Sequence, residues 1–333
     1  MCYCSYFLFS VLLLLAINAI IGTGIFFVPG IAARIAGPAS ILSWIAVALI
    51  SLFIAACFAE LSGMFPKCGG VYEYTKQAFG EFGGYMVGWT SWIVANVTIA
   101  MLTIGSLDYL GTIIPIPHWQ KIAFCVAFIL SMNFVSFRGI DMSVKVLLVF
   151  AVFTIISLWT LFSWGVYHIN LANLSLTTFL PLFPKVSLTI AMLYIMETFF
   201  GWETVTYLSE ETKNPQRVIP KVMIFGTLAV CLLAIGVVTV ALGSVPWQQL
   251  AESASPLVDA AVVFMGTTGA KIIAILIFLN IIGGAAAWIV VTPRLIFALA
   301  RDKLLPSTFG KVHSKYSTPY MAVLLQTILT ITI

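Results

Sequence analysis

The chain has 333 residues, of which 61% are hydrophobic and 8% charged, with a formal net charge of +4. Soluble domains carry about 25% charged residues, so this composition excludes a water-soluble enzyme or binding module. A small positive balance on so apolar a chain also excludes a nucleic-acid binder, which needs a concentrated basic face.

Apolar runs long enough to cross a bilayer, ~20 residues each, recur along the chain. In order, the predicted spans are Tyr6–Arg34, Ile41–Phe65, Phe82–Ile113, Trp119–Phe137, Val144–Val166, Leu188–Leu208, Val222–Gly243 and Ile272–Ala300. They are continuous rather than alternating, so they predict helices and not barrel strands. The first lacks a basic leader and is too long for a cleaved signal peptide. Pro246 to Lys271 is more polar and predicts an external loop with short helices. A ninth run begins near Pro319 and is cut at Ile333, which gives the expectation of a chain truncated within its ninth transmembrane helix. No linker or low-complexity tract intervenes, so residues 1–333 read as one transmembrane domain.

Twelve of the sixteen Lys and Arg residues fall on one side if the N-terminus is cytoplasmic. Positive charge concentrates on cytoplasmic loops, so this orientation is expected in a multi-pass cell (plasma) membrane protein. The six cysteines and three histidines share no ligand spacing, and no metal or cofactor is expected.

The first span is interrupted: "AINAIIGTGIFFVPG", Ala16 to Gly30, places Gly22, Gly24 and Pro29 in its middle. A broken helix in the membrane frees backbone N–H and C=O groups, which must then line a cavity or meet protein. Freed amides attract anions and freed carbonyls attract cations, and a zwitterionic amino acid needs both. Glycines also serve close helix packing, so the first break alone leaves a kink and a site equally open. The sixth span is broken too: in "MLYIMETFFGWETVTYLSEETKNPQRVIPK", Gly201 interrupts an apolar run between Glu197 and Glu203. Breaks in spans one and six have the spacing of a five-plus-five inverted repeat.

In these motifs the chain resembles the amino acid–polyamine–organocation (APC) transporters. "IIGTGIFFVPG" is similar to that family's glycine-rich first helix, with Thr23 where serine is usual. "AELSGMFPKCGGVYEYTKQAFGEFGGYMVGW", "FFGWE" with "EETKNPQRVIPK", and "TPRLIFALARDKLLPSTFGKVHSKYSTPY" resemble its second-to-third, sixth and eighth helices with their loops. The resemblance implies an all-α membrane protein with the fold of the bacterial leucine transporter, a helical bundle of inverted repeats. It implies a secondary active transporter of amino acids working by alternating access, proton-coupled or as an exchanger. The substrate carboxylate would meet Gly22, Thr23 and Gly24, and the ammonium the carbonyls near Ile20 and Phe200, beside Gly201. Trp288 would fall where a relative has a pocket tryptophan. Glu203 and Thr154 would stand at coupling positions, Thr154 where proton-coupled relatives carry a lysine. Glu197 replaces an aromatic gate; it could select a cationic substrate, carry a proton, or merely pair with Lys185. Gly80, Gly84 and Gly88 read as packing glycines, and Gly283 and Gly284 as room for span eight to approach span one.

A polyamine or cationic amino acid exchanger remains an alternative, as does a non-transporting sensor or a truncated remnant. No filter ring marks a channel, and no nucleophile–base pair marks an enzyme. The expected partners are an amino acid or amine, the lipid bilayer and protons.

Overall fold

The computed structural model describes residues 9–174 and 185–333, with the side chains of Asp141 and Lys185 also outside the description. A pairing of Lys185 with Glu197 therefore lies outside what is described, as do Cys2, Cys4 and the start of the first span. The regular elements are all helices: α1 (Phe9–Ile20), α2 (Gly24–Ala36), α3 (Ser40–Met64), α4 (Val71–Gly111), α5 (His118–Phe137), α6 (Ile140–Gly165), α7 (Lys185–Met196), α8 (Glu203–Thr206), α9 (Pro215–Ser244), α10 (Trp247–Glu252), α11 (Pro256–Val291), α12 (Pro293–Arg301) and α13 (Tyr320–Thr332), joined by turns and short 3-10 segments. Six stretches among the described residues are long and apolar enough to span a membrane.

The first span breaks where the sequence predicts. α1 ends at Ile20, and α2 has 13 residues, so α2 reaches about 20 Å at 1.5 Å per residue and crosses only part of a bilayer. The sixth breaks likewise: α7 ends at Met196, a 3-10 turn covers Glu197–Phe199, and α8 starts at Glu203. Gly201 lies between them at φ 126°, left-handed backbone that strains any residue with a Cβ.

Two boundaries differ from the sequence reading. α4 starts at Val71, eleven residues before the apolar run, because an amphipathic turn precedes the span; Gly80 at φ 80° then redirects the chain. Nothing lies within 4 Å of a Cβ built at Gly80, so its role is the bend, which corrects the packing reading. Gly88 does pack, against Tyr72 and Leu299. α11 likewise begins in the presumed loop, at Pro256, and bends at Gly266 with φ 67°.

The segment Pro256–Arg301 is the most enclosed, with 72% of its apolar window buried, while α5 has 22%. α11 thus forms the centre and α5 the rim. α11 packs along α4 and α6, and α13 lies on α4 and α5. α3 and α9 form the other close pair; α1 rests on α9, α11 and α6, and α2 on α7 and α10. Gly283 admits α6 through Phe150, whereas Gly284 faces the Asn18 and Ile21 carbonyls of the first span. Small residues bring these backbones together in a solvent where burial gives no hydrophobic gain.

Candidate functional site

The two breaks meet. Thr23 donates its hydroxyl to Glu197 Oε1 across 3.0 Å. A Cβ built on Gly24 would sit 2.6 Å from Thr198 Cα, and one on Gly201 2.6 Å from the Ala19 carbonyl oxygen. Each interruption thus uses a glycine to let the other pass at backbone distance. The Gly24 and Ile25 amides that open α2 have no preceding intrahelical carbonyl to donate to, and they carry the positive end of that helix; Phe26 and Phe27 donate to the Thr23 carbonyl at 3.0 and 3.1 Å. The Ile20 carbonyl accepts from the Gly22 amide at 2.9 Å, which leaves it a second lone pair.

The other sequence-predicted residues are distributed around this junction. Phe200 is 55% exposed and stacks edge-on to Trp202. Glu203 is half-buried at the start of α8 and forms no ion pair among the described residues. Trp288 is buried at 7% exposure, but among the described residues no hydrogen bond or ring contact joins its side chain to either break. Thr154 is fully buried and donates to Asn18 Oδ1 at 2.7 Å, while Asn18 Nδ2 donates to the Gly283 carbonyl at 3.1 Å. One neutral knot therefore ties α1, α6 and α11, and Ser157 with Asn280 extends it at 3.4 Å.

Asn18 and Thr198 are the residues that sequence reasoning missed. Asn18 had a usable signal, a lone amide in an apolar helix half, which is costly in lipid without partners. Thr198 had none, because threonine in such helices commonly bonds its own backbone.

A charged lattice lies on the face carrying the basic loops. Arg294 pairs with Glu211 at 3.0 Å, Arg301 with Glu210 at 2.8 Å, and Lys76 with Asp302 at 2.5 Å. Tyr72 also donates to Asp302 at 2.7 Å. Burial alone would raise the Asp302 carboxyl, but the bonds from Lys76 and Tyr72 and the nearby Arg301 hold it below the ordinary 3.8. Behind this lattice a cavity of about 390 Å³ is lined by Cys68, Arg138, Tyr207, Glu211, Arg294 and Tyr316. Cys68 is buried there, its thiol donating to the Tyr207 carbonyl at 3.0 Å. Burial, reinforced by Glu210 and Glu211, pushes that thiol up to about 12.

Comparison with known proteins agrees with this architecture. A family model described as amino acid permease matches residues 7–333. The chain is similar to the branched-chain amino acid permease BcaP of Bacillus subtilis (29% identity, over 93% of this chain and 70% of the relative). It is similar to the methylthioribose transporter of the same organism (30%, over 93% and 70%) and to the chloroplastic cationic amino acid transporter 9 of Arabidopsis thaliana (31%, over 91% and 56%). These relatives differ in the ligands their names carry, so kinship fixes a class of protein rather than a substrate. Since the match runs through both interrupted helices and nearly every residue of the apolar bundle, the chain is a multi-pass membrane protein that belongs to the amino acid permease family of the APC superfamily.

Proposed function

We propose that the protein moves an amino acid across the membrane by alternating access, with the substrate held where the two interrupted helices meet. The observation that carries this reading is the Thr23–Glu197 bond of 3.0 Å together with the glycine contacts on either side. The carboxylate is assigned to the amides at Thr23 and Gly24, and the ammonium to the Ile20 and Phe200 carbonyls. Anion at a half-helix start and cation at a half-helix end is the arrangement helix dipoles favour. Trp288 is assigned to the pocket wall and Glu197 to its exposed rim. In the five-plus-five arrangement, α1–α3 with α7–α9 would rock against α4, α5, α11 and α13. Two of the three closest pairs lie within one group, α3 with α9 and α11 with α4, while the third joins α11 to α6, which belongs to neither group. The N-terminus is assigned to the cytoplasm and the protein to the plasma membrane, on the distribution of Lys and Arg.

Exchange of one solute for another is favoured over coupling to a cation. The knot of Asn18, Thr154 and the Gly283 carbonyl contains neutral groups whose partners are mutual, which gives a travelling proton no titratable side chain at Thr154. Glu203 and Glu197 are the remaining candidates for a proton-linked step.

Uptake of labelled amino acids into proteoliposomes holding the full chain tests the proposal. Counterflow dependent on preloaded amino acid is expected, and Gly24→Leu should abolish it in a folded protein. Undiminished uptake by that variant would sink the assignment of the site.

A further inference from the structure

Thr198 carries a hydroxyl that the proposed site does not use. The residue is 0% exposed and its Oγ1 has no hydrogen-bond partner. Buried hydroxyls in apolar helices commonly donate to their own backbone three or four residues earlier. Here Thr103 does so to Ile99, Thr212 to Leu208, Thr292 to Trp288 and Thr330 to Gln326. Thr198 instead sits against the first turn of α2, where a Cβ on Gly24 would lie 2.6 Å from its Cα and nearer still to its Oγ1. A buried polar atom without a partner is rare and calls for a reason.

The groups around it indicate the missing partner. Phe26 and Phe27 already donate to the Thr23 carbonyl at 3.0 and 3.1 Å, so the donors left without an acceptor in that turn are the Gly24 and Ile25 amides and the Thr198 hydroxyl. Glu197 is the carboxylate nearest in chain, and it already accepts from Thr23. An incoming carboxylate is therefore directed to the donors that Glu197 leaves unpaired.

We propose that the Thr198 hydroxyl is a substrate ligand, donating to the substrate carboxylate at the start of α2 and so separating amino acids from the corresponding amines. The inference rests on the transport reading above. Because Thr198 and Gly24 are in contact, the carboxylate enters by parting the two half-helices.

The test uses the full chain in detergent, with L-leucine and isopentylamine as one probe pair and L-lysine and cadaverine as the other. Affinity is read from the dependence of the thermal midpoint on probe concentration. Thr198→Val should weaken binding of whichever amino acid stabilises the wild type about ten-fold, as expected for losing a hydrogen bond to a charged group. It should leave the matching amine within two-fold, and Thr198→Ser should restore the amino acid. Thr198→Ala, which adds no bulk, should repeat the valine result if the valine variant folds poorly. Equal affinity of wild type and both hydroxyl-free variants for the amino acid overturns the inference while leaving the transport reading intact. Parallel weakening of amino acid and amine also overturns it, since that marks a loss of packing. If no amino acid shifts the wild-type midpoint, the transport reading itself falls and the inference with it.

Discussion

One added methyl separates the glycines of the breaks. At Gly22 a Cβ would meet Leu102 at 3.7 Å, an ordinary contact. At Gly24 it would press on Thr198 Cα at 2.6 Å, and at Gly201 it would meet both the Ala19 carbonyl and a φ of 126°. Gly22→Ala is therefore expected to leave the thermal midpoint nearly unchanged. Gly24→Ala should cost about 1–3 kcal/mol from overpacking, and Gly201→Ala more, because backbone strain adds to the clash. Equal effects at all three positions in a thermal-shift series would refute the contact geometry. Glu197 gives a second prediction at this scale. Its carboxylate holds Thr23 and is exposed, so Glu197→Gln should weaken cationic amino acids by about 1–3 kcal/mol and spare neutral ones, after desolvation is counted. Uptake competition between lysine and leucine measures this. Loss of pH dependence with unchanged selectivity would instead assign Glu197 to proton transfer.

Among the helices, ties between elements decide what moves together. Thr154→Val removes the donor that Asn18 Oδ1 uses while keeping nearly the same shape. The amide would be left with an unpaired acceptor in a dry junction, at a cost of about 1–3 kcal/mol. A lowered thermal midpoint checks this, and a neutral result would mean that α1 is not anchored through Asn18. The Lys76–Asp302 pair ties α4 to the turn after α12 and carries a pH signature. The Asp302 carboxyl is held below 3.8 in the folded chain, so its contribution is complete above that pH and is lost as pH falls through the folded value. With side chains 24% and 20% exposed, the pair is partly screened, and Asp302→Asn should cost about 1–2 kcal/mol near neutral pH. The gap between wild type and variant should begin to close only as pH falls below the ordinary carboxylate value and should vanish below the lowered folded value, read from unfolding followed into acid. Helix existence was legible because lipid demands long apolar runs. The starts of α4 and α11 were not, since the turns before Gly80 and Gly266 are amphipathic or polar and hydropathy is silent about them.

In the whole molecule, the sequence showed each break but not the distance between them. Gly22, Gly24 and Gly201 announce interrupted helices because glycine is costly inside a helix. Their meeting is a tertiary fact set by α1 and α2 leaning on α7, α9 and α11. Thr198 was invisible for the same reason, since only the facing Gly24 distinguishes it from a threonine bonded to its own helix. Trp288 shows the opposite limit: alignment to a motif gives its register, but a buried tryptophan is equally what packing produces, and nearness in sequence to a family pocket does not specify ring contacts. The ionic lattice was legible as charge on basic loops, whereas its pairing required the turn after α8 to reach α12.

Cys68 gives this molecule a built-in chemical clock. Its thiol is buried behind the Arg294–Glu211 and Arg301–Glu210 pairs and held up to about 12. As the thiolate is the reactive form, maleimide should label Cys68 far more slowly than a small thiol free in water. Whenever this face opens, water reaches the sulfur and the acidic neighbours are drawn away, so both barriers to alkylation fall together. Labelling rate then counts visits to the open state without any introduced reporter, and a saturating substrate that changes those visits should change the rate for Cys68.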